Sequence, residues 1–378
     1  MKFLMISSYL PSVLNFRGKL LEAIHAQGLE IHVLAPDLQD YPDELNQLQQ
    51  LGYQVHTVPM QRTGTNPIQD LKTLKTMYQL IRQIQPNYVL SYTIKPVIYG
   101  TLAAMLAKVP HRFALITGLG YAFQNAESGK RSIFQKMVHG LYAHALKHAH
   151  KVFFQNPDDL KLFQSMQLVS PQKPTVVVNG SGVNVQDFAV LDLPKNEHGQ
   201  AKASFLLIAR LLGDKGVREY AEAARIIKAK HPKVEFHLVG WIDENPAAIA
   251  QVELDAWVAE KVVNYWGKLS DVRPAIAASS VYVLPSYREG TPRTVLEAMA
   301  MGRAIITTDA PGCRETVIHG QNGYLVPVKS VEELVQAMQT FINDPQLMVR
   351  MGQRSREIAL EKYDVHQVNA HMMSEMGV

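Results

Sequence analysis

Two carboxylates, Glu289 and Glu297, stand eight residues apart around the segment Gly290-Thr291-Pro292. An apolar run, 281–284, precedes them and a helical pattern follows, so the stretch reads as strand, short polar loop and helix. Pro292 suits the first helical position, where a missing N–H costs nothing. The backbone N–H groups around Gly290 and Thr291 are then expected at a helix N-terminus, beside the positive end of its dipole. That is an anion site, most naturally for phosphate. One carboxylate faces the loop and the other lies deeper in the helix. Carboxylates beside a phosphate accept hydrogen bonds from sugar hydroxyls.

A second set of charges follows the apolar run 204–209, in Arg210-Leu211-Leu212-Gly213-Asp214-Lys215-Gly216. With a helix starting near Val217, both cations fall at the C-terminal edge of a parallel strand, where open α/β sheets bind ligands. Arginine offers phosphate oxygens a bidentate contact and lysine a point charge. Taken alone, the pair also reads as two solvated loop cations.

The elements that must hold these groups alternate between short apolar β-type runs and helical patterns, which means α/β with parallel sheets covered on both faces. Strands are expected over 2–7, 31–35, 53–58, 88–92, 113–117, 152–155 and 175–179. A second series follows over 204–209, 234–239, 262–266, 281–284, 304–308 and 323–326. The stretch 187–202 between them is polar and without periodicity. The chain therefore divides into two Rossmann-like halves, 1–186 and 187–357, with 358–378 a final helix expected to cross back to the first. The first strand is not followed by Gly-x-Gly-x-x-Gly, and Gly118-Leu119-Gly120 is only a fragment of it, which argues against a dinucleotide-dependent oxidoreductase.

The Glu289 to Glu297 spacing, with Gly290 after the first and Glu297-Ala298-Met299-Ala300 at the second, resembles the donor-sugar motif of the retaining glycosyltransferases of family 4. The resemblance runs on through Gly302-Arg303-Ala304, Gly312-Cys313-Arg314-Glu315 and Gly320-Gln321-Asn322-Gly323. It implies the GT-B fold, two Rossmann-like domains whose parallel sheets face a cleft, with the acceptor on the first and a nucleotide-sugar on the second. It assigns Arg210 and Lys215 to the donor diphosphate, Glu289 to the transferred sugar, and Gly290, Thr291 and Glu297 to donor binding. It also implies attack on the face the leaving group departs from, with no covalent intermediate.

Two departures stand out. Where many members carry a glycine-rich loop after the first strand, this chain keeps only Gly18, and Arg17 reads equally as a donor contact or as a surface arginine at a helix start. Thr117-Gly118-Leu119-Gly120 replaces Thr-x-His-Gly, so the family's histidine contact is missing there. Ser91-Tyr92-Thr93-Ile94-Lys95-Pro96 resembles a bacterial subgroup that adds N-acetylhexosamines to lipid-diphosphate-linked glycans, which makes Lys95 a candidate for the acceptor or donor phosphate.

Charge is uneven. Residues 1–190 hold 17 Lys and Arg against 11 Asp and Glu, and the remainder 21 against 23. Much of the excess lies in Lys130, Arg131, Lys136, Lys147 and Lys151, beside an apolar helical stripe of Ile133, Phe134, Met137, Val138, Leu141, Tyr142 and Ala145. Such a helix lies on an anionic membrane surface or packs its stripe on a sheet; amphipathicity alone does not decide. The segment lacks aromatic platforms for nucleic acid, and His139, His144, His148 and His150 read as solvated. No apolar run reaches the ~18 residues a spanning helix needs. Lone Cys313 excludes a disulfide framework and fits a reducing compartment. The expectation is a cytoplasmic protein on the inner face of the plasma membrane. Its expected partners are a nucleotide-sugar, UDP-linked, and a lipid-linked glycan, with neither cofactor nor essential metal. A sugar-nucleotide epimerase of the same fold and a non-catalytic carbohydrate- or membrane-binding protein are the alternatives.

Overall fold

The computed structural model describes residues 1–61, 66–119, 133–242, 245 and 247–378. Two compact units divide the chain: Met1–Ser181 with His366–Val378, and Gly182–Val365.

The first unit holds β1 (Lys2–Ile6), β2 (Glu30–Ala35), β3 (Gln54–Thr57), β4 (Tyr88–Tyr92), β5 (His111–Ile116), β6 (Lys151–Phe154) and β7 (Thr175–Val177). They form a parallel sheet in the order β3-β2-β1-β4-β5-β6-β7. The second holds β8 (Ser204–Ile208), β9 (Glu235–Val239), β10 (Asn264–Tyr265), β11 (Val281–Leu284), β12 (Ala304–Thr308) and β13 (Gly323–Val326), in the order β10-β9-β8-β11-β12-β13. Every segment read as a strand from its apolar run overlaps one of these thirteen, with β2, β5 and β6 starting one or two residues before the expected segment. Central strands such as β8 and β11 are buried along their whole length, because helices cover both faces of a parallel sheet. Each sheet reverses its strand order once, between β1 and β4 and between β8 and β11. Those are the switch points at whose C-terminal edges α/β folds take ligands.

The division differs from the sequence expectation at two places. The first unit ends at Ser181 and not at 186, because Val183 and Val185 are buried in the apolar core of the second. Residues 358–378 are not one returning helix. Ile358, Ala359 and Tyr363 stay in the second unit's core, and the first unit regains the chain only from His366, where Met372, Met373 and Met376 join its core. The connection between the sheets is also held down. Fully buried Arg303 donates to the carbonyls of Leu191 (2.7 Å), Ile276 (3.0 Å) and Met301 (2.9 Å). Arg356 donates to those of Val185 (3.0 Å) and Ala300 (2.7 Å).

The amphipathic helix of the sequence reading is Ile133–His148. Its described stripe is taken up inside the first unit: Tyr142, Ala145 and Leu146 are buried and Val138 and Leu141 pack against them, leaving only Met137 of that described stripe exposed. His139 is buried as well, not solvated. Lys130 and Arg131 lie outside the described residues.

Candidate active site

Three loops meet at the C-terminal edge of β8, β11 and β12. From β8, the chain passes Arg210, half-buried, and a single 3₁₀ turn, Gly213–Lys215, before the helix Val217–Lys230. From β11 it passes Ser286 to Pro292 and enters the helix Arg293–Ala300. Pro292 has extended backbone and caps this helix, so Arg293, not Pro292, is its first residue.

Backbone contacts clamp the loops together. The Tyr287 N–H donates to the Asp214 carbonyl at 2.8 Å and the Glu289 N–H to the Pro311 carbonyl at 2.9 Å. Gly216 and Gly312 make this approach possible. Both have positive φ, 69° and 80°, and a Cβ would stand 2.2 Å from the Pro285 oxygen at the first and 2.0 Å from the Glu289 oxygen at the second. Only glycine tolerates both demands. Beneath the loop, Thr308 donates to the Ser286 carbonyl. Cys313 is fully buried there, its thiol pushed up to about 12 by burial and by the nearby Glu289 carboxylate. It is packing, not a nucleophile.

Within this frame Lys215 and Glu289, predicted from separate motifs, come together. The Lys215 ammonium lies 2.5 Å from Glu289 Oε1, although the two are 74 residues apart in sequence. Burial works against the lysine's charge, but Glu289 and then Asp214 outweigh it and the pKa rises, so Lys215 is a fixed cation. Glu297 is 6% exposed and accepts from Arg293 Nε at 2.8 Å. Burial raises its pKa, with Arg293 pulling the other way. The Tyr282 hydroxyl lies 2.6 Å from Thr294 Oγ1 and 3.0 Å from the Ile208 carbonyl, tying β8 to the first turn of the helix. Gly290 and Thr291 lie between Glu289 and that helix, half-buried. A preorganised cation, a helix N-terminus and two carboxylates on one sheet edge suit an anionic ligand bearing hydroxyls.

The first unit has its own polar edge at β1 and β4. Helix Leu10–Ala26 begins directly after Tyr9, with Pro11 in its first turn, where proline is tolerated. Leu10 to Gly18, where family members carry a loop, is therefore helical, and Arg17 is neither at a helix start nor on the surface. It is 3% exposed, with its guanidinium 5.6 Å from the Tyr92 ring centroid. Ser12 Oγ lies 2.8 Å from the Tyr92 hydroxyl and 3.1 Å from Ser7 Oγ. Thr93, at φ 68°, sits 2.8 Å from Ser8 Oγ. Lys95 donates to Asp70 Oδ1 at 2.8 Å, and the Tyr99 hydroxyl to Asp70 Oδ2 at 2.9 Å. Sequence reasoning missed Asp70; its one local signal is an acid in the first turn of a helix capped by Asn66. It missed Gly312 as a loop clamp too, for want of any sign of what approaches it. Leu119, where the family histidine is absent, is buried, and Gly120 lies outside the described residues.

This fold and this edge define a glycosyltransferase of GT-B architecture. Residues 202–344 match the family described as Glycosyl transferases group 1 and residues 12–156 that described as Glycosyl transferase 4-like. The chain is 30% identical over 362 residues, 93% of its length and 92% of the other's, to the N,N'-diacetylbacillosaminyl-diphospho-undecaprenol alpha-1,3-N-acetylgalactosaminyltransferase of Campylobacter jejuni. It therefore belongs to the group 1 glycosyltransferase family. The UDP-Gal:alpha-D-GlcNAc-diphosphoundecaprenol alpha-1,3-galactosyltransferase of Escherichia coli is 27% identical over 300 residues, 77% of this chain and 76% of that one. Among solved structures, sucrose-phosphate synthase from Thermosynechococcus elongatus superposes with a TM-score of 0.80 at 18% identity, covering 99% of this chain and 98% of that one, which speaks for the fold alone.

Proposed function

We propose that this enzyme is a retaining transferase that moves an N-acetylhexosamine from a UDP-sugar to a lipid-diphosphate-linked glycan at the cytoplasmic face of an anionic membrane. The observation that carries this reading is the Lys215–Glu289 pair at the β8–β11 switch point, with buried Glu297 in the helix that follows the same loop. A diphosphate entering that edge takes Lys215 and Arg210 as counter-charges, Glu289 turns to the sugar hydroxyls and Glu297 to the ribose. The two relatives described above both act, by their names, on a sugar diphosphate linked to undecaprenol.

In the reaction the bond from the anomeric carbon to the β-phosphate oxygen breaks, with its electron pair leaving on the phosphate. The acceptor oxygen bonds to the same face and its proton passes to the departing phosphate. Arg210 and Lys215 stabilise the charge that develops there, so no metal is required for that task. Lys95, oriented by Asp70 and Tyr99, meets the acceptor diphosphate. A thermal-shift panel of UDP-, GDP- and ADP-sugars tests the donor, since a ligand of the folded state raises the melting temperature. UDP-N-acetylhexosamines are expected to give the largest rise. Transfer from such a donor to a lipid-diphosphate glycan, with retained anomeric configuration and insensitive to chelator, completes the test; isomerisation of the donor without transfer would overturn it.

A further inference from the structure

Ile68 is 82% exposed, more than any other large apolar side chain among the described residues, and Leu71, one turn on, is 66% exposed. Both lie in the first turns of helix Pro67–Ile84. Asn66 Oδ1 caps the helix by accepting from the Ile68 N–H at 3.1 Å, and Gln69 Nε2 donates to the Pro59 carbonyl at 3.2 Å. The helix has its core-facing side elsewhere, with Thr73, Met77, Ile81 and Ile84 buried. Its outer face continues from Ile68 and Leu71 through Lys72, Lys75, Gln79 and Arg82, all exposed. These positions recur at helical spacing and form one stripe. The helix's sole acid, Asp70, is turned to Lys95 and Tyr99.

An apolar tip followed by three cations with no acid between them fits one partner chemistry, the surface of an anionic bilayer. There, apolar side chains enter the headgroup boundary and cations meet lipid phosphates. A second exposed apolar side chain shows the contrast. Val252 is 72% exposed, but its helix, Gln251–Ala259, carries Glu253 and Asp255 and no cation. We propose that the outer face of helix Pro67–Ile84, with Ile68 and Leu71 inserted and Lys72, Lys75 and Arg82 on the headgroups, is the surface by which this enzyme sits on the membrane. This assignment rests on the lipid-linked acceptor proposed above and deepens it. Asp70, which holds Lys95, lies between the two inserted residues, so the bilayer contact and the acceptor-phosphate candidate share one turn of helix.

The test is co-sedimentation of the full chain with phosphatidylglycerol-containing and with pure phosphatidylcholine vesicles at low and high salt. The parent is expected to pellet with the anionic vesicles and to be released by salt as screening shortens the Debye length. Ile68→Asp with Leu71→Asp should lower the partition coefficient about tenfold or more, the scale of withdrawing two apolar side chains from the interface. Lys72→Glu with Lys75→Glu should abolish the preference for anionic lipid, and Val252→Asp should behave as the parent. A parent that stays in the supernatant, or an Ile68 and Leu71 variant that pellets like the parent, overturns the proposal.

A second measurement guards against misfolding. The chain's single cysteine, Cys313, is buried, so Ile68→Cys and Val252→Cys each provide one accessible thiol for an environment-sensitive fluorophore. The probe at 68 is expected to shift to the blue on anionic vesicles and the probe at 252 to stay unchanged; equal behaviour overturns the assignment. Transfer to a short-chain, water-soluble diphosphate acceptor should survive in the Ile68 and Leu71 variant. If no lipid-diphosphate acceptor is used at all, the functional reading falls, while the vesicle and fluorophore results still decide the surface.

Discussion

At the β8–β11 edge of the second unit the polar side chains are charged and already paired, Lys215 with Glu289 and Arg293 with Glu297, and three loops are clamped by backbone hydrogen bonds. At the β1–β4 edge of the first unit the same topological position is furnished mainly with hydroxyls, Ser7, Ser12 and Tyr92, over a buried arginine. One strand order thus carries two kinds of polar edge. Preorganised ion pairs suit a constant, highly charged ligand. Hydroxyls, which can both donate and accept, suit a more variable one.

The contrast breaks most visibly at the cations. Arg210→Ala or Lys215→Ala should lower transfer about 10- to 1000-fold, the scale of losing one preorganised charge contact, with the thermal midpoint little changed. Near-parental turnover would remove that residue from the site.

The two glutamates sharpen it next. Glu297→Gln should weaken free UDP binding about tenfold, as for one charge-assisted hydrogen bond. Glu289→Gln should leave that affinity intact while transfer falls. Titration calorimetry showing the reverse pattern would exchange their roles. Stability provides an independent check on Glu297. Burial, opposed by Arg293, holds its carboxyl above the usual range, so its contribution to stability is full at acid pH and is lost as pH rises through that raised value. Without ligand, Glu297→Gln should therefore melt higher than the parent at neutral pH, and the two should converge as pH falls.

On the first unit, Asp70→Asn should raise KM for the acceptor about tenfold by releasing Lys95, with nucleotide affinity unchanged. A change in donor affinity instead would move Lys95 to the donor. The smallest effect compares two glycines. Gly312→Ala forces a Cβ onto the Glu289 oxygen at positive φ and should cost more than about 1 kcal/mol of stability. Gly18 lies inside helix Leu10–Ala26, and a Cβ added there would meet nothing within 4 Å. It should accept alanine with a gain of up to ~1 kcal/mol.

The second unit's edge was legible in the sequence because its meaning is local. Glu289 and Glu297 are read against the strand before them and the helix between, and Arg210 and Lys215 against β8. What joins them was not legible: the Lys215–Glu289 contact spans 74 residues and the Gly312 clamp depends on a loop from another strand. The first unit hid more. Ser7 to Ser12 has turn-forming composition, yet Pro11 falls in a helix's first turn, and this misplaced Arg17. Helical periodicity marked the stripe on Ile133–His148 without saying that the core would claim it. The boundary slipped because Val183 and Val185 follow Gly180-Ser181-Gly182 with no break in composition, and only tertiary packing assigns them.

Arg303 carries this last point into protein engineering. Its buried guanidinium, brought down to about 10 by burial, directs its donors at carbonyls that belong partly to the connecting segment, at Leu191 and more distantly Asp192. The connector is therefore a component of the second unit and not a neutral splice point. Exchanging halves between relatives should succeed with junctions at 181/182 and 365/366, which keep the guanidinium with the carbonyls it evolved beside. A junction inside 185–192 would pair Arg303 and Arg356 with a foreign backbone, and the mismatch would be felt on β12, the strand that follows Arg303 and pairs with β11.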